Sequence, residues 1–159
     1  MSLVSRDDLA PVRSRQIRGD LDCFTFMIIS ICAKKKWNRT GFVLEAGCTY
    51  RFAAEGQWVD WTIVYGPDGG TSGSNFFLRL FEGFRRRPKD NWFALIGGVD
   101  EDESTTFLIG ASPPIFTAIR AGELACYAND VPFAYFNNKG SISLTVERLG
   151  DASGGRSAG

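Results

Sequence analysis

Apolar residues along this chain come in short runs separated by turn-forming residues, and the last run alternates strictly. From Ser141 to Glu147, Ile142, Leu144 and Val146 fall on one side of an extended chain, with Ser143, Thr145 and Glu147 on the other. That pattern predicts a half-buried antiparallel strand. Cys23 to Ala33 carries apolar residues in both alternating sets and reads as a fully buried strand. Gly41 to Phe52 reads as strand, turn at Gly47, strand. Trp58 to Tyr65 is a further strand, running into the turn signal Gly66-Pro67-Asp68-Gly69-Gly70. Asn91 to Val99 predicts a core strand that ends in the acidic loop Asp100 to Glu103. Thr105 to Ile109 and Glu123 to Tyr127 add short strands, with Pro113-Pro114 breaking the connection between them. Phe76 to Phe84 fits a buried strand or a short helix equally well, and Gly83 disfavours a long helix. Many short strands and little helix predict an all-β fold, an antiparallel β-sandwich or jelly roll.

A length of 159 residues fits one domain with an adequate core. The expected organisation is a mobile arm over 1–19, a β-sandwich over 20–149 and a flexible tail over 150–159, where Gly, Ser and Ala dominate. Eighteen basic residues balance eighteen acidic ones, so no global field recruits nucleic acid or an acidic membrane. The basic clusters Lys34-Lys35-Lys36 and Arg85 to Lys89 and the acidic run Asp100 to Glu103 read as solvated loops. Histidine is absent altogether, which removes the usual near-neutral base and the Ser-His and Cys-His nucleophile pairs. The four cysteines are widely spaced, form no C-x-x-C and argue against zinc. With no apolar stretch beside the N-terminal arginines to make a signal peptide, a cytoplasmic protein with reduced thiols is the expectation.

The segment most like a site is Ala128-Asn129-Asp130-Val131-Pro132-Phe133-Ala134-Tyr135-Phe136-Asn137-Asn138-Lys139-Gly140-Ser141. It places a carboxylate and two adjacent amides before the alternating strand, and these are hard oxygen donors of the kind calcium takes. In a regular strand Asn137 and Asn138 would face opposite ways, so a shared ion requires an irregular chain between them. The competing reading is that Asp130, Asn137 and Asn138 merely brace turns.

The N-D-V-P run followed by N-N-x-G-S resembles the calcium loop of the PA-IL-like galactophilic lectins. The resemblance covers about fourteen residues sharply and the preceding hundred loosely. It implies a bacterial, calcium-dependent carbohydrate-binding protein with a galactose-binding-domain-like sandwich. It also implies a metal set of the Asp130, Asn137 and Asn138 side chains with the Ala134 carbonyl and one earlier aromatic carbonyl. Trp61 is favoured for the latter over Tyr65, and the neighbouring Asp60 is a candidate second carboxylate. Ligand contacts would come from Asp130, Val131, Phe133 and Asn137. A departure limits the transfer: lectins of that family touch galactose through a histidine, and this chain has none. Ala134 stands where the family has threonine, and Phe133 and Phe136 where it has glycine. Calcium binding is therefore expected with altered or lost galactose specificity. A non-catalytic structural or homo-oligomerising module is the first rival reading. A glycan-active enzyme using paired carboxylates is the second, disfavoured because no nucleophile and base fall together.

Overall fold

The computed structural model describes residues 13–14, 26–73 and 75–151. Ten strands form two antiparallel sheets among these residues. In one, β1 (Arg13–Ser14), β2 (Phe26–Cys32), β10 (Asn138–Asp151), β4 (Cys48–Asp60) and β5 (Ile63–Tyr65) lie side by side. A short β8 (Phe116–Thr117) pairs with the other end of β4. The second sheet runs β3 (Asn38–Leu44), β9 (Gly122–Ala128), β6 (Leu95–Val99), β7 (Phe107–Leu108). The only α-helix among the described residues is α1 (Phe76–Phe81), so no helix there is long and apolar enough to cross a membrane. The all-β expectation holds. Of the anticipated arm, Arg13–Ser14 pair with β2 and the remainder lies outside the described residues, as do Cys23 and the last eight positions.

The alternating run is the centre of the first sheet. Ile142, Leu144 and Val146 are wholly buried, each side chain contributing roughly 1.5–3 kcal/mol by leaving water. Across from them stand Ile31, Ile29 and Met27 of β2 on one side, and Gly56, Ala54 and Phe52 of β4 on the other. Small residues of β4 thus face large ones of β10 over part of the ladder.

Four elements differ from expectation, each for a packing reason. β2 is buried on one face only: Ile29 and Ile31 point inward while Ile28 and Ser30 face solvent. β4 is one strand of 13 residues rather than two segments, because Gly56, at φ 109°, lets the chain pass Ile142 without a break. β3 starts earlier than Gly41, on two inward-facing polar residues. The Asn38 amide nitrogen donates to the Cys32 and Cys126 carbonyls at 3.0 and 3.1 Å, and the Thr40 hydroxyl donates to the Leu124 carbonyl at 2.6 Å. The expected strand from Asn91 begins only at Leu95. Trp92 makes an isolated bridge to Gly70, and Phe93 turns left-handed at φ 59°. Phe93 is held there by stacking on Tyr65 at 5.1 Å and by the Trp58 indole N–H, which donates to its carbonyl at 2.9 Å.

The second sheet is buried on both faces in β6. Its outer side carries Ile96 and Tyr127 under Trp37, and the Arg86 guanidinium lies over the Tyr127 ring at 3.3 Å and the Trp37 ring at 4.4 Å. Arg86 also pairs with Glu103, and Arg87 with Asp90, so half of the basic run expected to be solvated is folded inward. Cys126, in β9 between Asn38 of β3 and Gly97 of β6, is fully buried, and burial pushes its thiol pKa up.

Candidate functional site

Two connections meet at one end of the sandwich. β4 and β5 are joined by the tight turn Trp61-Thr62, with Asp60 paired to Ile63 and Trp61 left-handed at φ 54°. β9 and β10 are joined by the loop from Asn129 through a single 3-10 turn, Tyr135–Asn137. The β10–β4 register sets Asn138 directly opposite Asp60. The irregularity that two adjacent asparagines need is present: Asn137 closes the 3-10 turn and Asn138 begins the strand.

The loop is locked from beneath. Asn129 donates to the carbonyls of Arg87, Asp90 and Asn91 and accepts from the Arg87 N–H at 3.0 Å. The Arg86 N–H donates to the Asp130 carbonyl at 3.2 Å, and the Tyr135 hydroxyl donates to the Ala128 carbonyl at 2.7 Å. The connection Arg85 to Asn91 is thereby the foundation of the Asp130 turn.

Two amide–carboxylate pairs result. The Asn138 nitrogen donates to Asp130 Oδ2 at 2.9 Å and to the Ala33 carbonyl at 3.3 Å, while the Val131 N–H donates to Asp130 Oδ1 at 2.7 Å. The Asn137 nitrogen donates to Asp60 Oδ1 at 3.0 Å. Each amide is oriented by these bonds so that its own oxygen is left over: Asn137 Oδ1 and Asn138 Oδ1 are both buried without a donor. A buried carbonyl in that state costs about 1–3 kcal/mol, and two on consecutive residues are unusual in a folded core.

The charges are equally uncompensated. Asp130 is buried and Asp60 half-buried, and neither makes an ion pair among the described residues. Burial pushes the Asp130 carboxyl up to about 6, opposed by the Asn138 and Val131 donors and reinforced by the charge of Asp60. Burial also raises Asp60, against the donor from Asn137. No group of three or more Asp, Glu, Cys or His side chains is placed to hold a metal ion among the described residues. Any cation here would be held by two carboxylates and neutral oxygens.

Above these groups opens a cleft of about 580 Å³. Asp60, Trp61, Asp130, Val131, Ala134 and Asn137 form its floor and one side. Tyr65 is not on the lining but in the core against Phe93, whereas Trp61 is a lining residue. Phe133 stands at the side, exposed, and Phe136 is exposed away from the lining. The opposite wall was not read from the sequence. It consists of Phe77, Leu78 and Phe81 of α1 with Trp92, and Asn75 caps α1 by accepting from the N–H groups of Phe77 and Leu78. Trp92 carries the Arg85 guanidinium over its ring at 4.9 Å.

No protein-family model matches the chain, and no curated protein matches it in sequence. A solved structure described as the EclA N-terminal domain, a PllA-like lectin, is similar in fold. The likeness has a TM-score of 0.59 and 18% identity, and covers 76% of this chain and 94% of that one. The likeness is one of fold and extends over the two-sheet sandwich of this chain.

Proposed function

We propose that this protein binds carbohydrate through a calcium ion held at the cleft floor. The pair of buried, donorless amide oxygens on Asn137 and Asn138 beside two carboxylates without cationic partners carries the reading. The donor chemistry fits the ion. Calcium takes six to eight oxygens from carboxylates, amides, backbone carbonyls and water. Asp130, Asn137 and Asn138 would hold it, with Asp60 as second carboxylate and carbonyls from Ala134 and Trp61, two residues that line the cleft. The bound ion would supply open positions for sugar hydroxyls, and Val131 and Phe133 would flank them. The lectin-like neighbour supports a sugar as the ligand.

Galactose is a poor candidate. There is no histidine to grip it, and Ala134 brings a methyl group where the resembling family has a hydroxyl. Catalysis is not part of this reading, since Asp60 and Asp130 are each engaged by an asparagine and no other titratable group lines the cleft.

A glycan array read in calcium and again in chelator tests the proposal. Chelator-sensitive binding of a defined sugar set is expected. Calcium stabilisation without any glycan signal would instead assign the ion a purely structural role.

A further inference from the structure

The rim of the cleft has a second property that sugar binding does not use. Apart from Arg79, α1 carries only apolar side chains: Leu78 and Phe81 pack against the core, while Phe76, Phe77 and Leu80 are 70%, 71% and 57% exposed. Phe84, in the 3-10 turn that follows, is 62% exposed. Trp61, at 76%, and Phe133, at 64%, line the same cleft. Ring contacts run from Phe84 through Phe81 to Phe133, each step 6.1 Å between centroids, so the patch continues from helix to loop. A contiguous exposed apolar patch marks an interaction surface.

Charge decides the occupant. Arg79 and Lys89 lie exposed on this segment, and neither is ion-paired to a carboxylate among the described residues, whereas Arg85 is held over Trp92 by the Glu82 and Pro88 carbonyls. The segment's acids are already engaged: Glu82 is half-buried and accepts from the Ser72 hydroxyl, and Asp90 pairs with Arg87. A second copy docked through a two-fold axis would set this patch against itself, cation to cation. An anionic lipid surface meets both halves of the patch, phosphates taking the cations and the acyl–headgroup boundary taking the aromatic side chains. Phe, Leu and Trp beside Lys and Arg are the side chains that favour that boundary.

We propose that the rim formed by α1, the following turn and the Trp61 turn is a membrane-interfacial surface, seating the mouth of the cleft against anionic phospholipid. Its affinity for lipid requires neither calcium nor sugar.

Flotation with phosphatidylcholine vesicles, with or without phosphatidylserine, free of glycolipid and in chelator, tests this separately from carbohydrate binding. The wild type should float with the vesicles, more strongly with phosphatidylserine and less in high salt. Phe76→Ser, Leu80→Ser and Phe84→Ser combined, none of them lining the cleft, should lower partitioning roughly tenfold or more. Arg79→Glu with Lys89→Glu should remove only the phosphatidylserine increment. Brominated acyl chains should quench the exposed Trp61 and spare the buried Trp58 and Trp92, and Trp61→Phe should abolish that quenching. Unchanged melting temperatures will show that the variants fold. The proposal is overturned if the wild type floats no better than the triple variant. Self-association in sedimentation that the same three substitutions abolish, without flotation, would reassign the patch to a second copy.

Discussion

Asp130 is the residue on which the site turns. It is a carboxylate taken out of water with two N–H donors and no cation, so the folded protein without metal carries a standing electrostatic cost. Its pKa, pushed up to about 6 from an ordinary 3.8, means the folded state holds this proton more tightly than the unfolded one. Stability from this group is therefore present at low pH and lost as pH rises from about 4 to about 6. In chelator, the melting temperature of the wild type relative to Asp130→Asn should fall between pH 4.5 and 7. A difference that stays flat across the interval would show that the carboxyl is not desolvated. Calcium should reverse the trend, because the ion needs the ionised form.

The same residue sets the size of the metal effect. A ligand held by the folded state alone stabilises by about 2.7 kcal/mol at a hundred times its dissociation constant, a melting shift on the order of 5–10 °C for a domain of this size. Asp130→Ala should abolish most of that shift. Asn137→Ala should reduce it less, since water can replace one neutral oxygen. Thermal melts of the three proteins in millimolar calcium and in chelator check both outcomes. Equal melting of the wild type in the two conditions would leave the asparagines as turn supports only.

At the scale of elements, the sequence was most legible where burial alternates. β10 could be read residue by residue because one of its faces is core and the other solvent. β3 could not, because its inward face begins with Asn38 and Thr40, whose polarity is satisfied by backbone carbonyls that no local pattern reveals. The loop residues Asp130, Asn137 and Asn138 stood out by residue type and by their resemblance to a known calcium loop, since their spacing suits a turn as well as an ion. Asp60 was visible only as a neighbour of Trp61, since strand register, not sequence proximity, brings it to Asn138. The α1 wall stayed ambiguous because the apolar positions of Phe76 to Phe84 fit a short helix and a buried strand alike. Trp92 was read as part of a strand, whereas Gly69 and Gly70 hold it in an isolated bridge. Gly69 sits at φ 66°, and a Cβ there would strike the Trp92 carbonyl and the Ala94 nitrogen. Gly69→Ala should therefore cost about 2–3 kcal/mol and lower the melting temperature by roughly 5–10 °C. Gly66→Ala, with open space around it and an ordinary φ, is the control and should melt within about 1–2 °C of the wild type.

For the whole molecule, the sandwich separates two tasks. One end gathers irregular loops, orphaned oxygens and exposed aromatics, and the ladders behind hold them in place. Helix-poor circular dichroism should accompany this division, and a spectrum dominated by helix would contradict the architecture. The interior also contains its own timepiece. Cys126 sits at the middle of β9 with hydrogen-bonded neighbours on both flanks, whereas Cys32 lies half-buried at the end of β2. The Cys126 side chain lies in the core between the sheets, so a thiol reagent reaches it only when the sandwich opens. The ratio of the two labelling rates thus compares how often the core opens with how often a strand end frays, with no probe introduced into the chain.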